Sequence, residues 1–176
     1  MFSNPQANIF EMKLPLSSSV ADFGAGTGAY SIAAAKIVGG RGRVYAIDVN
    51  RDILARLAKE AQAAHLGNVE IVAGNAEKLG GTHLRESSVD GVIMANVLYQ
   101  AADKQGMLAE AKRLLRPGGR LFLVDWKDSY GGIGPDQADV ITDFAARRML
   151  DRAGWIYERS FGAGDHHYGL VYRKAV

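Results

Sequence analysis

The sequence predicts an α/β fold: a doubly wound, mainly parallel seven-stranded sheet that ends in an antiparallel hairpin. Three observations predict it. Between residues 19 and 154, short apolar runs alternate with runs of helical period, the pattern of strands joined by crossover helices. The first apolar run stops at a glycine turn, FGAGTG at 23–28. The tail from Trp155 carries two strand-like runs around GAGD (162–165) with no room for a crossover helix, so those two strands must pair antiparallel.

Each element has its own warrant. SVADF (19–23) is short and apolar and reads as a strand, and YSIAAAKIV (30–38) sets Tyr30, Ala33, Ala34, Ile37 and Val38 on one helical face before Gly39-Gly40 stops it. RVYAID (43–48) is a second strand. A helix is expected over 51–66, with Asn50 as its N-cap and Gly67 just past its end. VEIVAGN (69–75) is the third strand, and 76–88 holds at most a short helical piece.

VDGVIMAN (89–96) is the fourth strand. A helix over 104–115 is stopped by Arg116-Pro117-Gly118-Gly119, since proline cannot continue it and glycine permits the reversal. RLFLVDW (120–126) is the fifth strand. The glycine-rich loop 127–137 follows, then a helix over 138–154 and the hairpin.

The chain has 176 residues, nearly half of them hydrophobic, which suits a single core. The expected division is an N-terminal arm (1–18) and one domain (19–176). The arm contains Pro5 and Pro15 and has weak periodicity. A formal charge of +2 with scattered basic residues does not favour nucleic acid as a partner. With no cysteine, disulfides, thiol nucleophiles and thiolate metal sites drop out. The first residues lack the basic start and apolar core of a signal peptide, and no apolar run approaches the ~18 residues of a membrane span. The expectation is a cytoplasmic protein with no membrane insertion and no metal.

In such a sheet a ligand belongs at the carboxyl ends of the strands, where the order reverses, and the glycine turn lies at the first such end. Two cofactor classes use such a turn. Gly24, Gly26 and Ala29, with Asp48 as the distant acid, satisfy the dinucleotide fingerprint. Asp22 argues the other way. A carboxylate beside the turn would repel a diphosphate and attract the sulfonium and ammonium of S-adenosylmethionine, by about 4 kcal/mol at ~4 Å in an effective dielectric of about 20. A dehydrogenase would also need a substrate domain, for which no residues remain.

VADFGAGTG (20–28), VYAID (44–48), GNAE (74–77), DGVIMANVL (90–98) and LLRPGGRLFLVDW (114–126) together resemble the class I S-adenosylmethionine-dependent methyltransferases, most closely the ubiquinone/menaquinone-type small-molecule branch. The resemblance implies a methyl transfer by in-line displacement, driven by alignment and proximity. It implies cofactor contacts from Asp22 (ammonium), Gly24, Ala25 and Gly26 (methionine part), Asp48 (ribose hydroxyls), Val49 (adenine face), Asn75, Ala76 and Asn96. The family often has an acid where this chain has Asn75. Glu77 reads as a helix-start residue rather than a ligand.

If the acceptor must lose a proton, Asp125, Lys127, His166 and His167 are the candidates for handling it; Asn96, at the end of strand four, is a catalytic candidate only through contacts to cofactor or substrate. Alternation along a strand points His166 and His167 to opposite faces. Tyr99 and Gln100 are candidates for the pocket lining, and Tyr30 either covers the methionine tail or belongs to the core. A small-molecule acceptor is expected, and a homodimer stays open. RNA or protein methylation, a NAD-dependent oxidoreductase and a non-catalytic S-adenosylmethionine-binding module remain as alternatives.

Overall fold

The computed structural model describes residues 3–176. Seven strands form one sheet in the order β3-β2-β1-β4-β5-β7-β6: β1 (Ser19–Phe23), β2 (Arg43–Asp48), β3 (Val69–Ala73), β4 (Val89–Ala95), β5 (Leu115–Trp126), β6 (Ile156–Gly162) and β7 (His167–Arg173). The first five pair in parallel. β7 runs antiparallel between β5 and β6, with Trp126 opposite His167 and Arg120 opposite Arg173. The expected sheet and terminal hairpin are both present.

Alternation along the strands builds two cores. Leu121, Leu123, Leu170 and Tyr172 face one side, with Phe23, Met94 and the helix residues Leu108 and Leu114. Phe122 and Val171 face the other, with Ile93, Tyr30, Ala34 and Val38, as the two-residue period of a strand requires. Ile9 and Met12 are buried in this second core, so the short helical turns α1 (Pro5–Asn8) and Ile9–Met12 pack as part of it. A Cβ on Gly91 of β4 would overlap the Met12 side chain.

The helices start where their caps are. α2 (Ala29–Val38) begins after Gly28, whose φ of 88° is left-handed, and a Cβ there would lie 2.5 Å from Leu57 Cγ. The Asn50 side chain accepts the amides of Asp52 and Ile53 and starts α3 (Arg51–Ala63). Asp103 does the same, through the Gly106 amide, for α4 (Lys104–Leu114).

Three expected elements move by more than two residues at an end. α3 ends at Ala63 rather than residue 66, because His65 turns left-handed at φ 55°. α5 is Asp143–Arg152 rather than 138–154, because Thr142 caps it by accepting the Ala145 amide, and Ile141 packs on the core ahead of the helix. Residues 76–88 form turns and no helix, within the expectation of at most a short helical piece. The Pro-Gly-Gly stop is not a loop between α4 and strand five. β5 starts at Leu115, directly after the helix, and pairs with Val89. The register shift between Val89 and Gly91 absorbs Pro117 and Gly118 as an irregularity in the strand.

Candidate functional site

Strand order reverses between β1 and β4, and the crevice at their carboxyl ends is where a doubly wound sheet binds its ligand. A cavity of about 370 Å³ lies there, within the about 300–1,000 Å³ of small-molecule sites. Gly24, Gly26, Asp48, Val49, Asn75 and Ala76 line it, joined by Ile53, Glu77, Val97, Gln100 and Met107. Six of the nine expected cofactor residues are thus brought together.

The turn explains its glycines. Gly24 and Gly26 take φ of 62° and 54°, a region that L side chains rarely adopt. A Cβ on Gly24 would lie 2.5 Å from Val97 Cγ1, whereas the nearest atom to one on Gly26 is 3.8 Å away. Backbone therefore forms the cavity floor at both positions. Ala25 is buried, and its amide is spent on the Ile47 carbonyl.

Asp48, at the end of β2, accepts the Gly26 amide at 3.1 Å on one oxygen and the Asn50 amide at 2.9 Å on the other. A carboxylate has about four lone-pair sites, so acceptor capacity remains toward the cavity. Val49 beside it is 69% exposed, an apolar side chain presented to a ligand face.

Asp22 departs from expectation. It does not stand at the mouth of the turn. It is 2% exposed and accepts the Ser31 hydroxyl at 2.6 Å. Burial pushes its carboxyl up to about 7, against the pull of the Ser31 hydrogen bonds and with a small push from Asp48. The carboxylate that faces the cavity beside the turn is Asp48.

On the far wall, Asn75 Oδ1 accepts the Glu77 amide at 2.9 Å, and Glu77 accepts the Asp103 amide at 2.7 Å. Glu77 is no helix-start residue. It ties the wall to the start of α4. Ala76 is buried in the same wall.

Asn96 follows β4 with a left-handed φ of 57°. Its amide donates to the Val124 carbonyl, its carbonyl accepts the Gln100 side chain, and its buried Oδ1 has no protein partner among the described residues. It is adjacent to the cavity rather than lining it.

The candidates for proton handling lie elsewhere. Asp125 is buried and accepts the amides of Trp126 and Tyr99. Burial pushes it up to about 6, against those backbone hydrogen bonds, and it fastens the segment after β4 to the end of β5. His166 pairs with Asp128 at 2.8 Å and stacks on Tyr130. His167 is 3% exposed and packs on Trp126 at 4.2 Å between ring centres. Its ring nitrogens have no protein partner among the described residues, and burial lowers its proton affinity. The Lys127 amide donates to the His166 carbonyl, which holds the start of loop 127–137 to the hairpin. Tyr30 belongs to the core, its hydroxyl bonded to Ser3 and Asn8.

The sequence reading missed Val97, Ile53 and Met107 in the cavity, and it missed Glu110 of α4. Glu110 is fully buried and accepts hydrogen bonds from Arg113, Thr82 and the Gly80 amide. Burial alone would raise its carboxyl; those donors outweigh burial and hold it at about 2. The one signal was an acid three residues ahead of Arg113 in an otherwise apolar stretch of helix.

A family model described as a methyltransferase domain matches residues 17–150. The chain is 34% identical over 110 residues to an arsenite methyltransferase of Aquipseudomonas alcaligenes, covering 60% of this chain and 32% of that protein. It is 34% identical over 134 residues to a ubiquinone/menaquinone biosynthesis C-methyltransferase of Hahella chejuensis, covering 76% and 52%. The chain thus spans from about a third to about half the length of these curated relatives. A solved structure of a SAM-dependent methyltransferase from Aquifex aeolicus superposes with a TM-score of 0.88 at 27% identity, covering 98% of this chain and 90% of that one. The [4+2]-cyclase SpnF shares the fold with a TM-score of 0.83 at 16% identity, covering 98% and 80%.

Proposed function

The chain belongs to the methyltransferase-domain family, and from that premise we propose that it is an S-adenosylmethionine-dependent methyltransferase acting on a small-molecule acceptor. One observation carries the choice of cofactor. Three amides of the glycine turn are already used inside the protein: Ala25 donates to Ile47, Gly28 to Ala25, and Gly26 to the Asp48 carboxylate. A diphosphate needs such amides free and needs no carboxylate among them. A cationic nucleoside that presents two ribose hydroxyls meets the reverse requirements.

The residues present fit S-adenosylmethionine. Asp48 offers acceptor capacity for vicinal hydroxyls, Val49 and Ile53 offer apolar surface for a purine, and the bare backbone at Gly26 leaves room for the methionine part. The cofactor brings an electrophilic methyl on a sulfonium. The protein contributes binding and alignment. We assign Asn96, which accepts the Gln100 side chain, and Tyr99, fastened to β5 through Asp125, to the acceptor side, next to Val97 and Gln100, which line the cavity.

The relatives named for arsenite and for ubiquinone/menaquinone biosynthesis support a small acceptor over a macromolecule. This chain has no cysteine and so no soft thiolate to hold trivalent arsenic, which favours an organic acceptor. Fold alone does not fix the chemistry, so binding and turnover are tested in turn. Calorimetric titration with S-adenosylmethionine, S-adenosylhomocysteine and NAD is expected to give heat for the first two only. NAD binding with neither adenosyl compound overturns the reading. A screen for S-adenosylhomocysteine release over organic acceptors then identifies the substrate, and release with none of them leaves a macromolecular acceptor or a binding module.

A further inference from the structure

Helix α4 lies outside the glycine turn and the strand ends, yet its buried Glu110 reaches the loop between β3 and β4. One carboxylate oxygen accepts the Gly80 amide at 2.7 Å, and the other accepts the Thr82 hydroxyl at 2.5 Å. Arg113, on the same helix face, donates to both oxygens at 2.7 and 2.8 Å and to the Leu84 carbonyl at 2.8 Å. The loop segment they grip is itself bonded to the cavity wall. The Asn75 amide donates to the Gly81 carbonyl at 2.9 Å, and the Gly81 amide donates to the Lys78 carbonyl at 2.8 Å. The two segments touch so closely that a Cβ on Gly81 would overlap the Asn75 carbonyl oxygen.

Asn75, Ala76 and Glu77 have no regular secondary structure of their own. Their positions are set by this chain of contacts and by the Glu77 bond to the Asp103 amide at the start of the same helix. A fully buried carboxylate bound by this many donors is costly to disturb, because the buried Thr82 hydroxyl would lose its partner and the Arg113 guanidinium and Gly80 amide would lose theirs beside it. The segment it fixes faces the cavity. We infer that Glu110 is a positioning residue for cofactor binding, holding through Gly80 and Thr82 the Asn75–Glu77 wall against which the nucleoside end of S-adenosylmethionine packs; this rests on the methyltransferase reading above.

The experiment compares S-adenosylhomocysteine affinity by calorimetry in the wild type, Glu110→Ala, Glu110→Gln and Glu158→Gln, with a thermal melt of each. Glu158 is the control. It is another acidic hub, bonded to Arg120 and paired with Arg159 and Arg173 on the β6–β7 side of the sheet. The inference expects Glu110→Ala to lose about tenfold or more in affinity, about the cost of one unmade hydrogen bond to a charged group. Glu110→Gln, which keeps one acceptor oxygen, should recover part of that loss, and Glu158→Gln should bind like the wild type even where it melts lower.

Wild-type affinity in a folded Glu110→Ala overturns the inference. So does an equal loss in Glu158→Gln, which would make the effect one of general stability. If neither Glu110 variant folds, Thr82→Val removes the hydroxyl donor alone. A loss of about threefold then supports the inference, and unchanged affinity overturns it. A wild type that binds no adenosyl compound defeats the methyltransferase reading itself, a result separate from all of these.

Discussion

The Asp48 carboxylate, at the end of the second strand, accepts the backbone amide of Gly26 at 3.1 Å. The acid and the turn beside which the nucleoside would bind are therefore one hydrogen-bonded unit. Asp48→Ala should weaken S-adenosylmethionine binding by roughly 10- to 150-fold, the effect of removing about 1.5–3 kcal/mol of charge-assisted hydrogen bonding. Asp48→Asn, which keeps one acceptor, should fall between. Calorimetric affinities check the order, and equal affinity in all three proteins would mean the ribose lies elsewhere.

Asp22 makes stability depend on pH. Its carboxyl stands at about 7 in the folded chain and 3.8 as a free group. Between those values the native state binds more protons than the unfolded state, so stability declines as pH rises across the window. Asp22→Asn removes that decline while leaving an oxygen for Ser31. The variant should melt above the wild type at pH 8, and the gap should close toward pH 4. Thermal melts across that range check it, and a gap that does not change with pH would count against the assignment.

Glu110 acts in the opposite sense. Its carboxyl is held at about 2, below the free value of 4.5. The stability it contributes is complete above about 4.5 and is lost as pH falls toward 2. Glu110→Gln should therefore melt lower than the wild type at neutral pH and lose less on acidification. Acid titration followed by circular dichroism compares the two slopes.

Gly134 belongs to loop 127–137, which leaves the carboxyl end of β5, and the hypothesis is that this loop gates the acceptor. The φ of Gly134 is 85°, and a Cβ would lie 2.7–2.8 Å from the Trp126 indole. Gly134→Ala must push the loop off Trp126 or twist its backbone. Once an acceptor is known, turnover should fall about tenfold while S-adenosylhomocysteine affinity stays within about twofold, since loops of this kind gate turnover rather than cofactor binding. Unchanged turnover would remove the loop from the reaction.

Most of the fold was legible because its signals are local. Glycines ended the first strand, Asn50 capped α3, and the short tail forced a hairpin. What was not legible depended on partners distant in sequence. Leu115 looks like the end of a helix until Val89 is seen beside it as a strand partner. Asp22 looks like a surface carboxylate because its two-residue offset from Gly24 says nothing of depth; Ser31 and the strands on either side enclose it. The site divides the same way. Asp48 and the glycines follow from spacing, while the Asn75–Glu77 wall owes its shape to a carboxylate on a helix more than thirty residues on.

The position of β7 between β5 and β6 sets an order of events at the ribosome. The seventh strand in sequence is an interior one in space, so nascent chains that have emerged only as far as Gly162 carry an open row of amides and carbonyls along β5. Such an edge invites pairing with other chains. Until β7 docks, β5 stays an open edge, and arrested chains ending at Gly162 should scatter light where those reaching Arg173 do not.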